Sequence, residues 1–301
     1  MLVIGDDAHP YDRFPWVTLC LIMANVVAFS FQLCLGREFT ESYSMVAAEV
    51  VQGRDSTPQQ DAKFQLPQDR RRHAGAALTV PPLPSPLRIY VTLFTHMFLH
   101  AGFFHLLGNM WFLWIFGRNV ETGLGHARFL IYYLIGGLAG SLAQLLSDTQ
   151  STTHALGASG AIACVMGSYL AINPFNKLKL WFGWWIGVIE VPAVLFLGLW
   201  ALLQFLSARH TQPGHSHGGV AYWAHLGGFA AGLVLIWVTV AYLRMKLVRA
   251  EEGEELATAA ANNEVPVPEH VPPEDFSHRP TVTLETARYL RPQPTDLTER
   301  E

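Results

Sequence analysis

The chain has 301 residues, half of them hydrophobic and 15% charged, a composition that suits a polytopic membrane protein better than a soluble enzyme. The formal net charge of −4 comes from residues 251–301, where twelve Asp or Glu stand against four Arg among many prolines, so no nucleic-acid partner is indicated. The three cysteines, Cys20, Cys34 and Cys164, all fall in apolar runs, which points away from a disulfide framework or a zinc knuckle.

Residues 1–15 are polar and read as a cytoplasmic N-terminus. Residues 16–35 form the first apolar run, long enough to cross a hydrocarbon layer of ~30 Å. The acidic stretch before it lacks the basic start of a signal peptide, so a retained helix is expected. Residues 36–88 form a long polar insertion. It carries Arg70, Arg71 and Arg72 and a proline-rich stretch at 81–86 that favours polyproline II. Residues 45–51 in it read either as an amphipathic interfacial helix or as a flexible loop.

Further apolar runs follow at residues 103–120, 128–146, 156–172, 188–206 and 219–243, with short connections that predict antiparallel neighbours. The expected architecture is therefore an all-α polytopic membrane protein with six spans over residues 16–243. Residues 181–185, rich in Trp, resemble an interfacial belt, with Lys177 and Lys179 just outside it. With six spans, Arg13, Arg118, Arg128, Lys177, Lys179, Arg244, Lys246 and Arg249 all lie on one side, and the opposite short loops contribute only Arg209. Both termini are thus expected in the cytoplasm, with the 36–88 loop outside and spans two, four and six running inward. Residues 244–301 form an acidic, Pro-rich tail that cannot bury a core and is expected to be disordered, with residues 283–290 as its one candidate helix.

Ser159 stands in the run Gly157-Ala158-Ser159-Gly160. Small residues and serines are common where membrane helices pack, so packing alone would explain it unless a base lies at the same depth. His105 and Asn109 are four residues apart on one face near the outer end of span two. His225 falls roughly 9 Å below the start of span six. Polar side chains in a membrane are costly, and when present they face the bundle interior, where they pair or work. Gly228 and Gly232 follow His225, and Gly157 and Gly160 flank Ser159. Together they let spans four and six approach closely enough for Ser159 Oγ to reach an imidazole nitrogen at about 2.6–3.2 Å.

The chemistry this supports is acyl transfer, with His225 as base for Ser159. Asn109, the His105 ring and the Ser159 backbone N–H are the candidate oxyanion donors. No carboxylate is placed to orient His225, since Asp148 falls in a loop and Glu190 near the opposite face, so a Ser–His dyad is expected.

His96, His100, His105 and Asn109 in the stretch 95–109, Gly117-Arg118-Asn119-Val120-Glu121, Gly157-Ala158-Ser159-Gly160, and Ala224-His225-Leu226-Gly227-Gly228 with Gly232 resemble, in order and spacing, the rhomboid intramembrane serine proteases. The resemblance implies the six-helix rhomboid fold. It implies Ser159 as nucleophile, His225 as base and Asn109 with His105 at the oxyanion site, without metal, ATP or cofactor. It also implies single-pass membrane proteins as substrates, entry past the fifth helix, and a location in a lipid bilayer, here expected to be a bacterial inner membrane. The chain departs from the pattern at Val91-Thr92, where some members carry Trp-Arg, and at Ala163, where some carry a Tyr packed on the histidine. Tyr222 or another ring could take that place.

Other sets are weaker. His210, His215 and His217 share a loop with no carboxylate or cysteine to complete a metal site. The chain has no H-E-x-x-H motif and no pair of intramembrane Asp residues. Arg118 and Glu121 read as an interfacial structural pair. The rival reading is an inactive rhomboid-like protein that binds and escorts membrane helices, and a weaker one is a transporter that uses the polar cluster as an ion site.

Overall fold

The computed structural model describes residues 2–7, 13–53, 87–185, 187–210 and 220–261. The arginine and proline runs of the first loop, His215, His217, residues 283–290 and most of the acidic tail lie outside them. The described elements are β1 (Leu2–Asp6), α1 (Trp16–Leu35), α2 (Arg37–Tyr43), β2 (Met45–Val46), α3 (Ala47–Gln52), α4 (Leu87–Thr95), α5 (Phe103–Phe112), α6 (Arg118–Leu124), α7 (His126–Ser147), β3 (His154–Ala155), α8 (Ser159–Ile172), β4 (Lys177–Trp181), β5 (Val188–Pro192), α9 (Ala193–His210) and α10 (Tyr222–Ala261).

Among the described residues four helices are long and apolar enough to cross a membrane: α1, α7, α9 and α10 over Tyr222–Glu251. A fifth crossing arises if the pair Ile89–Phe98 and Phe103–Leu124, bent by 78°, counts as one. The bend falls at His100–Gly102, after a 3₁₀ turn at His96–Phe98. Between α5 and α6 the helix continues through a π-helical turn, Leu113–Gly117, buried at Leu113, Ile115, Phe116 and Gly117.

The structure differs from the sequence-based boundaries in four places. The fourth apolar run begins as non-helical chain, and α8 starts only at Ser159; its 14 residues, about 21 Å long, are buried from Gly160 to Tyr169. Residues 188–192 form strand β5 instead of the start of the fifth helix. The last helix runs past residue 243 to Ala261, well into the expected tail. Residues 45–51 divide between β2 and α3.

α8 lies at the centre because its neighbours have almost no side chain where they touch it. A Cβ at Gly228 would stand 2.0 Å from the Gly160 carbonyl oxygen, one at Gly232 2.0 Å from that of Cys164, and one at Gly167 2.2 Å from that of Phe229. Gly140 on α7 comes similarly close to the Ala224 carbonyl, at 2.7 Å. This is backbone-to-backbone packing, which substitutes for a hydrophobic driving force inside lipid.

α1 is held from outside its own sequence. Pro15 supplies no side-chain cap. Instead the buried Glu121 carboxylate accepts from the backbone N–H of Val17 (2.8 Å) and Thr18 (2.7 Å) and from the Thr18 hydroxyl (2.6 Å), with His126 Nδ1 at 2.5 Å. A carboxylate at a helix start satisfies otherwise free N–H groups and opposes the helix dipole. Glu121 therefore caps α1, and Arg118 lies 3.7 Å from Asp6 and over the Trp114 ring. At the other end of α1, Gln32 brackets the backbone of His100, accepting from its N–H at 2.8 Å and donating to its carbonyl at 3.1 Å.

Two small sheets brace opposite ends. β1, β4 and β5 form an antiparallel sheet in the order β1-β4-β5. Tyr169 donates to Asp6 at 2.7 Å and Trp111 Nε1 to the Val3 carbonyl at 2.6 Å, so the N-terminal strand is stitched to α8 and α5. Burial raises the Asp6 carboxyl above its ordinary range, against the lowering by Tyr169 and Arg118. Lys177 and Glu190 meet at 3.2 Å on this sheet, well away from His225's end of α10. At the opposite end β2 pairs with β3, matching Met45 to Ala155 and Val46 to His154.

Gly232→Ala is expected to lower the stability of the folded protein by about 1–3 kcal/mol or more, because the new methyl meets a backbone carbonyl that cannot move aside by changing rotamer. Thermal unfolding in detergent measures it, and an unchanged midpoint would contradict the packing account.

Candidate active site

Ser159 is the first residue of α8, and Ala158 before it offers no capping side chain. The serine's backbone N–H is therefore among the free N–H groups at the positive end of a helix. The chain leading into it is pinned on both sides. β3 is paired to β2, and the Gly157 N–H donates to the His96 carbonyl at 2.9 Å. Ser44 Oγ and His154 Nδ1, 2.6 Å apart, reinforce the same junction. Gly157 has φ +135°, a conformation side-chain-bearing residues rarely adopt, and an added Cβ would lie 3.0 Å from His105 Cε1 and 3.6 Å from Ser159 Oγ. Gly157 thus serves a turn and a close ring contact, and it is not part of a helix-packing face. Gly160, by contrast, would accept a Cβ with nothing closer than 3.5 Å; its contribution is the carbonyl on which Gly228 rests.

His225 is the fourth residue of α10, one turn above Gly228. Its Nε2 lies 2.8 Å from Ser159 Oγ. Its Nδ1 lies 2.8 Å from Gln204 Oε1 on α9. The ring that packs on it is Trp200, also on α9, with centroids 5.9 Å apart and planes tilted by 33°. Trp200 also meets Phe229, at 5.7 Å. Gln204 and Trp200 are residues that the sequence reading missed. Neither Tyr222 nor a residue near Ala163 supplies the ring, and the partner of Nδ1 is an amide where only carboxylates had been considered. A signal was available, since Gln204 is the one strongly polar side chain in residues 193–206 and lies four residues after Trp200.

His105 receives the Ala101 N–H on Nδ1 at 3.3 Å. In a neutral ring Nε2 then carries the proton, and it lies beside Cε1 on the ring edge that faces Gly157, 3.3 Å from where a Cβ there would stand. Asn109, one turn along the same face, holds its side-chain N–H₂ buried and unpaired. Behind Ser159 a small cavity of about 20 Å³ is lined by His96, Ser141, Gln144 and Ser159 among others. Ser141 donates to the Gly137 carbonyl at 2.8 Å, so its oxygen accepts from His96 Nε2, 2.6 Å away. His96 Nδ1 and Gln144 Oε1 are left as buried acceptors without protein partners. The cavity has room for about one water, which these two acceptors could bind.

The structure thus brings Ser159, His225 and His105 together. Asn109 sits on the His105 face, and Gly228 and Gly232 set the approach of α10. His210 ends α9. No group of three or more potential metal ligands occurs among the described residues. The first loop, which lacks the Trp-Arg pair, is anchored by the Thr95 hydroxyl on the Tyr43 carbonyl (2.8 Å) and by β2.

The family profile of the rhomboid domain matches residues 88–242, just over half of the chain and the whole of this site. The chain belongs to the rhomboid family. It is 29% identical over 227 residues to RHOMBOID-like protein 1 of Arabidopsis thaliana, covering 75% of this chain and 53% of that protein. It is 34% identical over 145 residues to Rhomboid protein 1, mitochondrial, of Saccharomyces cerevisiae, covering 46% and 39%. With the Putative rhomboid protease YdcA of Bacillus subtilis it shares 32% over 150 residues, covering 49% and 66%. The chain spans about half the length of the curated relatives it matches. As a rhomboid it is a multi-pass membrane protein of mostly helical build.

Gly157→Ala is expected to cost about 1–3 kcal/mol through backbone strain and the His105 contact, whereas Gly160→Ala should be near neutral. Paired thermal-unfolding measurements check this, and equal effects at the two positions would contradict the assignment of their roles.

Proposed function

We propose that this rhomboid is an intramembrane serine endopeptidase that cleaves single-pass transmembrane proteins in or near the membrane. The observation that carries the reading is the 2.8 Å contact between Ser159 Oγ and His225 Nε2, at the start of one inward-facing helix and near the start of another. In this mechanism His225 Nε2 takes the Ser159 proton as Oγ attacks the scissile carbonyl. The imidazolium then protonates the departing amine, and the same base activates a water from the adjoining cavity to release the acyl group. The developing oxyanion meets donors already in place: the Ser159 backbone N–H, His105 Nε2–H and the Asn109 amide. No step calls on a metal or cofactor.

The topology proposed with it has six spans within residues 16–243, the short α8 being one. Asp6, Arg118 and the 177–192 hairpin share one end of the bundle, while β2 and β3 share the other, which requires paired crossings between them. The basic residues at the first end favour both termini, residues 1–15 and 244–301, on the cytoplasmic side of a bacterial inner membrane, with the 36–88 loop outside. α9 is the natural lateral entrance: it buries only Ala193, Leu197 and Ala208 and turns Leu195, Leu199, Leu202, Leu203, Phe205 and Leu206 outward.

Reconstituted in proteoliposomes with a transmembrane substrate, the wild type should cut it, and Ser159→Ala and His225→Ala should each abolish the cut while remaining folded. Asn109→Ala should slow turnover by about 10²- to 10³-fold, the usual consequence of losing one oxyanion donor. Cleavage that survives Ser159→Ala would sink the reading. A wild type that binds the substrate helix and never cuts it would favour an escort role.

A further inference from the structure

The Ser159–His225 pair is fixed by α8 and α10, whose backbones touch. The two groups that hold the imidazole from behind come from elsewhere. Gln204 and Trp200 are both on α9, four residues apart and hence on one face. A neutral imidazole has one ring proton. For Nε2 to accept from Ser159, the proton must sit on Nδ1, and an acceptor 2.8 Å from Nδ1 selects that tautomer. The Gln204 amide oxygen is that acceptor. Trp200 then limits rotation of the ring about its own axis, being wedged between His225 and Phe229.

Resting on the protease reading above, we propose that Gln204 is a positioning residue for His225, so that α9 must lie against the bundle for the serine–histidine pair to be poised. Nothing on α10 or α8 duplicates its contact with Nδ1 among the described hydrogen bonds. Of the long membrane-crossing helices among the described residues α9 is the least buried, so the element best able to move aside for an entering membrane segment is the one that orients the base. Displacing α9 takes away both the amide and the ring. The pair is reassembled when α9 closes, which ties the chemical step to closure over a bound segment and keeps an open site from acting as a hydrolase.

The test uses the full chain in lipid bilayers with ¹⁵N-labelled histidine, the His225 signals being assigned by their loss in His225→Ala, together with cleavage kinetics. Gln204→Leu keeps the size of the side chain and removes the acceptor. It should convert His225 from the Nδ1–H form to a mixture of tautomers and lower kcat roughly 10- to 100-fold, the range for leaving a buried donor unpaired, with KM little changed. Gln204→Glu, which restores an acceptor, should recover the tautomer and most of kcat. Val27→Ala, at an exposed residue of α1 away from the site, should change neither. Gln204→Leu with the wild-type tautomer and wild-type kcat would overturn the positioning role while leaving the protease reading intact. A wild type that shows the Gln204-dependent tautomer but cuts no substrate would support the positioning role and contradict the protease reading.

Discussion

The contact on which the rest of the structure depends is the backbone-to-backbone approach of α8 and α10. Inside lipid there is no gain from hiding apolar side chains from water, so helices hold together by close packing and polar contacts. Gly228 and Gly232 remove every side-chain atom between α10 and the carbonyls of Gly160 and Cys164. That closeness brings His225 within 2.8 Å of Ser159. In the proposed mechanism packing and chemistry are one requirement, because a larger residue on that face would push His225 away from Ser159.

Everything around that contact works to hold two chain ends still. Ser159 begins its helix, so its position depends on the extended chain before it. That chain is tied to the first loop through β2–β3 and to His96 through the Gly157 N–H. At the far end, Glu121 caps α1, and β1 ties the N-terminal segment to α5, α8 and the β4–β5 hairpin. α9 grows directly out of that hairpin, so the root of the most loosely held helix is the best anchored part of it.

The features that were legible in the sequence were those that carry a cost. Ser159, His225, His105 and Asn109 stood out because polar groups in apolar runs need a reason, and the long runs from Trp16 onward announced a multi-pass chain. What escaped notice was set by tertiary contacts. The start of α8 at Ser159 depends on strand pairing with a loop more than a hundred residues away. The cap on α1 comes from Glu121, and hydropathy alone could not tell that β5 leaves the fifth apolar run before the helix starts. Gln204 is inconspicuous for a different reason: an uncharged amide costs less to bury in a membrane than a carboxylate, and it serves the same tautomer.

The central claim is that His225 activates Ser159. It is tested most directly by treating the protein in bilayers with a small fluorophosphonate and locating the adduct by mass spectrometry. The account predicts labelling at Ser159 in the wild type and its loss in His225→Ala. Absence of an adduct at Ser159 in the wild type, or equal labelling after His225→Ala, would contradict it.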